Sequence, residues 1–346
     1  MQEIIISDAN EGQRLNKFLG KFLDKAPQSF IYKMLRKKNI KYNQKKADGS
    51  ELLKAGDLIQ IYLSDETIAN FRGEEGLPQE KKEVHLDILY EDEDILIVNK
   101  PTNVLSQKAN PDDYTLNEMI VDYYKSKKKT DGMFTPSVCN RLDRNTSGII
   151  LAGMSLKGTR ELSDMLKLRT IDKYYITVVS GKVLEKKTIK GYLAKQSTHN
   201  KVTIYPSEKK ARQQGAERIS YIETLYEPLK YGTYKGQDFT FLKVKLITGK
   251  THQIRAHLHS QGYPIIGDGK YGDKHVNQMI KKDFKLKHQL LHAYCLRFPK
   301  EIRQISFHLK GMEVTAKPPA LFLKILDEIF DLKEGDKDGN LEFKRS

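Results

Sequence analysis

Apolar positions in the first 64 residues repeat at helical spacing. Leu15, Phe18, Leu19, Phe22 and Leu23 mark one amphipathic helix, beginning near Gly12 with Ser7 or Asp8 as its cap. Phe30, Ile31, Met34 and Leu35 mark the inner face of a second helix over residues 28–38. Short strand-like runs follow at Ile40–Tyr42 and residues 58–63, joined through turn residues in ADGSELLKAGD. Residues 65–83, DETIANFRGEEGLPQEKKE, are polar, carry Gly and Pro, lack periodicity and read as a linker. A larger unit over residues 84–330 opens with two strand signals, HLDILY and DILIVNKP. Helices are predicted at residues 115–125, 155–167 and 251–260, with a last amphipathic helix at Ala320–Phe330. Between them lie β-rich runs: KYYITVVSG, RISYIETLYE, FTFLKVKLITG and LLHAYCLRF. The strands cluster without regular helix alternation, which predicts an α+β fold with a largely antiparallel sheet rather than a doubly wound one. The polar residues 331–346 read as a frayed tail, and no internal repeat is visible.

Composition narrows the class. The chain has 346 residues, 38% hydrophobic and 30% charged, enough for two folded units and a sizeable core. No apolar run reaches the roughly 20 residues of a membrane helix. No basic stretch precedes the short apolar run of MQEIIISDANEG, as a secretory signal requires. Two cysteines, Cys139 and Cys295, give no disulfide framework and fit a reducing cytoplasm. The net charge of +15 points to a polyanionic partner, because neutralising phosphates releases their counterions. The charge is concentrated: in IYKMLRKKNIKYNQKK seven of sixteen residues are Lys or Arg and none is acidic. Tyr32 and Tyr42 are interleaved where they could stack on bases, so this run is read as an RNA or DNA contact rather than a solvated helix face.

Several chemistries fail on spacing. GKT in ITGKTHQ lacks the earlier P-loop glycine, since Val244 stands in its place, and Thr251 is read as a helix cap. His252, His257 and His259 lack the i, i+4 spacing of a helical metal pair and are expected to pack, cap or touch phosphate. Ser147 has no nucleophile elbow and reads as a turn residue. No dinucleotide fingerprint occurs. CNRLDRNTSGIILAG is left: Asp143 between Arg141 and Arg144, then a turn through Thr146, Ser147 and Gly148 into an apolar strand. Two readings stand on local grounds. Asp143 accepts backbone N–H groups in a turn, or it is a reactive carboxylate kept ionised by an arginine.

RLDRNTSG resembles the catalytic motif of the RluA-type pseudouridine synthases, and the supporting matches fall in order. EDEDILIVNKPTNVLS is similar to the family's opening motif, and KYYITVVSG to the segment bearing its active-site tyrosine. LITGKTHQIRAHLHSQGYPIIGDGKYG is similar to its third motif and LLHAYCLRF to its closing strand. The first unit resembles the small RNA-binding module shared with ribosomal small-subunit protein S-four. The resemblance implies that Asp143 is the catalytic aspartate and that Arg255 pairs with it. It implies that Tyr175 lies under the uracil and takes part in proton removal. Arg141 and Arg144 would touch RNA, and Lys33, Arg36, Lys37, Lys38 and Lys41 would hold phosphates. The implied reaction moves uracil from its nitrogen to its carbon link on ribose without metal or other cofactor. Whether the aspartate attacks, stabilises charge or takes a proton stays open. Large-subunit ribosomal RNA is the expected substrate, with tRNA, or a non-catalytic RNA-binding assembly role, as alternatives. A metal-dependent nuclease is disfavoured for want of an acidic cluster. A monomer is the default. One departure stands out: the family has His before the motif's Arg, and here the residue is Asn140.

Overall fold

Two β-sheets organise the chain. The computed structural model describes residues 1–7, 10–72, 85–110, 112–127, 134–195, 201–300 and 309–331. The first sheet comprises β1 (Gln2–Ile5), β2 (Ile40–Tyr42), β3 (Lys45–Lys46) and β4 (Leu58–Ile61), antiparallel in the order β1-β4-β2-β3. Helices α1 (Leu15–Phe22), α2 (Gln28–Arg36) and α3 (Asp65–Phe71) accompany it. Leu15, Phe18, Leu19, Ile31 and Leu35 are buried against Ile40, Ile59 and Ile61, so the apolar stripes read from the sequence do face a common core.

Three local expectations need correction here. The first helix begins at Leu15, not near Gly12. Gly12 has φ +75° and gives its N–H to the Leu53 carbonyl, which ties it to a loop. Ser7 accepts from the Asn10 side chain rather than capping the helix, and Asp8 lies outside the described residues. The second helix stops at Arg36, and Lys38 turns left-handed at φ +61°. The stretch read as a linker opens with helix α3: Ser64 Oγ accepts the Thr67 N–H at 3.2 Å, and Ile68 is buried. Of that stretch, residues 73–83 lie outside the described residues, as does the tail from residue 332.

The second sheet has eleven strands among the described residues. They are β5 (Ile88–Glu91), β6 (Ile95–Lys100), β7 (Ser137–Val138), β8 (Ser147–Gly153), β9 (Asp172–Ser180), β10 (Lys187–Lys195), β11 (Val202–Tyr205), β12 (Ile219–Tyr234), β13 (Gln237–Leu246), β14 (Leu291–Arg297) and β15 (Glu313–Thr315). The path is β11-β10-β12-β13-β9-β14-β8-β6-β5, with β15 beside β14 and β7 beside β8. The fold is mixed and mostly antiparallel, as the strand pattern predicts; β8 and β14 run parallel, pairing Ser147 with His292 and Gly148 with Ala293. The helices of this part are α4 (Leu116–Lys127), α5 (Leu156–Leu168), α6 (Glu208–Gln213), α7 (Gln253–Ser260), α8 (Lys274–Phe284) and α9 (Ala320–Phe330). Strands β10 and β11 and helices α6 and α8 are additions to the sequence reading. In α8, KHVNQMIKKDF, the buried Val276, Ile280 and Phe284 recur only once per turn among lysines, too thin a stripe to stand out.

Period-two alternation along β9 separates two cores. Tyr175 and Val179 point to one face, where α4 and α7 supply Leu116, Ile120, Ile254 and Leu258. Ile176 and Val178 point to the other, where α8 and α9 supply Ile280, Phe284, Ile325 and Ile329. α5 covers β6 and β8 on that second side through Leu162 and Met165. The central strands are therefore covered on both faces, and all seven residues of β8 are buried.

Candidate active site

The loop between β7 and β8 carries Asp143, and several anchors fix it. Asn140 stands in for a strand residue: its side chain accepts the Leu151 N–H at 2.7 Å and donates to the Ile149 carbonyl at 3.3 Å. The departure at this position therefore keeps the loop stitched to β8. Ser106 closes both backbone groups of Leu142 at 3.0 Å. The Thr146 N–H bonds the backbone carbonyl of Asp143 at 3.0 Å, and Thr146 Oγ1 accepts from Gln289 at 3.1 Å. Ser147, expected in the turn, is the first residue of β8 and lies 2.9 Å from His292 Nδ1. Gly148 has φ +112°, and a Cβ there would collide with the Ala293 backbone, so only glycine lets β14 come this close.

Lys100 ends β6 fully buried. Its Nζ donates to the carbonyls of Pro101 and Val104 at 2.8 Å and of Arg144 at 3.1 Å, joining the loop after β6 to the loop of Asp143. Burial pulls the amine down to about 7, while the Asp143 charge acts upward. Three carbonyl acceptors need three N–H donors, which only the ammonium has, so the contacts hold the lysine charged.

Arg255 joins the loop to α7. Its Nη1 donates to Asp143 Oδ2 at 2.7 Å, and its Nε and Nη2 donate to Asp268 Oδ2 and Oδ1 at 2.6 and 2.9 Å. The Arg255 and Asp268 side chains are 7% and 0% exposed, against 24% for Asp143. The arginine is thus fixed from behind by a buried two-point clamp, and its remaining arm meets the one carboxylate that solvent reaches. Burial acts to lower the pKa of Arg255, but Asp268 and then Asp143 raise it above the ordinary arginine value. Burial acts to raise that of Asp268, and Arg255 with the N–H groups of Lys270 and Tyr271 brings it below the usual carboxylate range.

Tyr175 lies in β9 between Val244 of β13 and Ala293 of β14. Burial, then the charge of Asp143, pushes its phenol well above the ordinary value. The phenol therefore stays protonated at neutral pH, and the ring face is its main offering. Tyr175, Asp143 and Arg255 line one cleft of about 1000 Å³, together with Arg141, Arg144 and the residue 246–253 loop. Further cations line it at Lys108, Arg169, Lys173, Lys250 and Lys270. Lys33, Arg36, Lys37, Lys38 and Lys41 are not in this cleft; they sit on α2, its C-terminal turn and β2. Tyr32 is exposed beside them, whereas Tyr42 is hydrogen-bonded to Asp57.

The reading of Thr251 as a cap is corrected. The cap position of α7 is His252, left-handed at φ 57°, with no side-chain capping bond. The order comes instead from buried Gln253, which accepts from Thr248 Oγ1 and the Lys250 N–H and donates to Thr224 Oγ1 and the Glu223 carbonyl. The histidines go separate ways: His252 Nδ1 meets Tyr271 Oη at 3.1 Å and His257 Nδ1 meets Thr224 Oγ1 at 3.0 Å. Among the described residues no three His, Cys, Asp or Glu side chains gather as metal ligands. Asp268 and Lys100 are the site residues the sequence reading passed over, and His252, expected only to pack, cap or touch phosphate, lines the cleft. The signal for Lys100 was a lone lysine ending the apolar run ILIVN; for Asp268, an acid in a glycine-rich turn, nothing local marked its partner.

Comparison with known proteins agrees with this geometry. The family profile described as "RNA pseudouridylate synthase" matches residues 94–260, which hold Asp143, Tyr175 and Arg255. An uncharacterized RNA pseudouridine synthase of Mycoplasma genitalium is 30% identical over 305 residues, covering 86% of this chain and 89% of the relative. Ribosomal large subunit pseudouridine synthase C of Pasteurella multocida is 29% identical, covering 85% of each chain. The solved structure of human RNA Pseudouridylate Synthase Domain Containing 1 superposes with a TM-score of 0.54 at 25% identity, covering 74% of this chain and 91% of that one.

Proposed function

The chain belongs to the RNA pseudouridylate synthase family, and from that premise we propose that it isomerises uridines of large-subunit ribosomal RNA. The observation that carries the reading is the Asp143–Arg255 pair at 2.7 Å in a cleft that Tyr175 also lines. A purely binding surface needs no carboxylate set against a clamped arginine in a cleft that an aromatic side chain also lines. The reaction breaks the bond between ribose C1′ and uracil N1, turns the base, and forms the bond from C1′ to C5. The C5 proton leaves and N1 takes one up, so atoms balance without an oxidant or co-reactant. An ionised Asp143 suits the positive character that develops at the sugar when the first bond breaks. Tyr175 offers a face on which any pyrimidine can stack, worth about 1–3 kcal/mol by the scale of single-stranded binding. Reaching a carboxylate at the floor of a cleft requires the uridine to leave its stack.

The ribosomal substrate is supported by the names of relatives at 28–30% identity in Pasteurella, Vibrio and Haemophilus, each called a ribosomal large subunit pseudouridine synthase. The reading divides the chain into an S-four-like RNA-binding module over residues 1–64 and a catalytic unit over residues 84–330. Lys33, Arg36, Lys37, Lys38 and Lys41 would hold phosphates, as would Arg141 and Arg144 at the cleft. The protein would work as a cytoplasmic monomer. Purified chain should release tritium from RNA labelled at uridine C5, and Asp143→Asn should abolish release while RNA affinity stays within about twofold. Release by the variant at the wild-type rate would remove Asp143 from the chemistry. Pseudouridine mapping in a deletion strain should show loss in large-subunit ribosomal RNA; loss confined to tRNA would overturn the substrate.

A further inference from the structure

We propose that His252 is a specificity-determining residue that donates a hydrogen bond from its Nε2–H to a carbonyl oxygen of the uracil. The inference rests on the reading of the cleft as a uridine site and names what reads the base within it. The tautomer follows from a chain of bonds. The backbone N–H of Val202 donates to Tyr271 Oη at 2.9 Å, which occupies that oxygen as an acceptor. Tyr271 Oη also lies 3.1 Å from His252 Nδ1, and the assignment that gives the phenol proton an acceptor is donation to that nitrogen. An Nδ1 that accepts leaves the ring proton on Nε2. The ring also favours its neutral form: burial lowers its pKa, with Arg255 and Lys270 acting downward against Asp143 and Asp268. Tyr271 is fixed in turn, its ring packed edge-on to His252 at 5.7 Å and against the Arg255 guanidinium at 5.4 Å.

Nε2 lies on the side of the ring away from the tyrosine, and His252 lines the cleft. His252 stands three residues before Arg255, just ahead of α7, and the charge of Asp143 reaches both. A left-handed backbone at a residue other than glycine is strained and persists where the surroundings over-determine it, here beside buried Gln253. The result is an uncharged donor of fixed direction beside the reacting carboxylate. An anionic phosphate is disfavoured there by Asp143, and the cations around the cleft serve phosphate better. The uracil edge offers two carbonyl acceptors and one N–H, and a fixed donor matches only the carbonyls. At O4 the same donor would also reject cytosine, which carries an amino group there, whereas at O2 it would fix the orientation of the base.

Two measurements on the full chain test this. In the ¹⁵N spectrum of histidine-labelled protein at neutral pH, His252 should show a protonated Nε2 and an unprotonated Nδ1, and Tyr271→Phe should mix the tautomers. A proton resident on Nδ1 overturns the proposal. Second, a short RNA bearing the uridine that the wild type modifies is made with sulfur, a weak acceptor, at O2 or at O4. Wild-type kcat/KM should fall by about tenfold on one of the two thio RNAs. His252→Ala should be insensitive to the same sulfur, and His252→Gln, which keeps an N–H at that reach, should recover part of the sensitivity. Equal thio effects in wild type and His252→Ala on both RNAs would overturn the base contact while leaving the enzyme reading intact. A wild type that modifies no uridine at all would fail the enzyme reading itself.

Discussion

Asp268 stands behind the pair on which the proposed chemistry rests. Its two oxygens hold Nε and Nη2 of Arg255, leaving a single arm for Asp143. Asp268→Asn removes the charge and one acceptor from a side chain with no exposure, and breaking a buried pair costs about 3–5 kcal/mol of stability. The arginine then loses its heading, and misplacement of a catalytic group by an ångström costs about a hundredfold. The single-turnover rate of the variant should fall by about tenfold to a hundredfold at saturating RNA, with Kd unchanged; a wild-type rate in folded variant would free Arg255 of any need for its clamp. Arg255→Lys should fail as badly, since one ammonium cannot span both carboxylates. The sequence made Asp143, Tyr175 and Arg255 legible because each sits in a patterned motif. Asp268 was not, because its partner Arg255 is brought to it only by the fold, and His252 was read only as packing, capping or touching phosphate because Tyr271 is likewise brought to it by the fold.

At the scale of elements, the junction of β8 and β14 holds the site together. It unites the strand after Asp143 with one 145 residues later in contact, Ser147 to His292. Gly148→Ala should cost more than about 2 kcal/mol, since it strains a positive φ and drives a methyl into the Ala293 backbone. A melting temperature within a degree or so of wild type would contradict that packing. His292 is completely buried, and burial lowers it from 6.5 to about 4 despite its bond to the Ala316 carbonyl. Below pH 6.5 the unfolded chain takes up a proton that the folded chain refuses. The stability is therefore complete above 6.5 and lost as pH falls toward 4, by about 2 kcal/mol between pH 7.5 and 5. Urea midpoints at the two pH values should show the loss, and His292→Gln should flatten the slope. Part of the slope will remain, because His257 is pulled down to about 4 in the same way. Helices and strands of this region were largely legible from their apolar periods. The parallel contact was not, because no local pattern announces which distant strand a buried run will join.

For the whole molecule, charge and sheet architecture divide the work. The α+β class was readable from clustered strands, but the order β11-β10-β12-β13-β9-β14-β8-β6-β5 is long-range and invisible locally. The surplus of fifteen positive charges was readable directly, and its placement shows two populations of cations. One lines the cleft. The other lies on α2 and β2, where Lys33, Arg36 and Lys37 recur at i, i+3 and i+4 along one helical face and its end, and Lys38 and Lys41 continue the run. If that second set holds phosphates away from the chemistry, it contributes to affinity and not to the rate of the bound complex. Replacing all five with Gln in the full chain should then lower the slope of log Kd against log salt by about 4, at 0.7–0.9 per phosphate contact. The single-turnover rate at saturating RNA should stay within about twofold of wild type. Filter binding across a salt series measures the first quantity and a quenched reaction the second. A slope that does not move would assign phosphate binding to the cleft cations alone. A slope that moves together with a collapse in the saturated rate would mean that the first unit also positions the target uridine over Asp143.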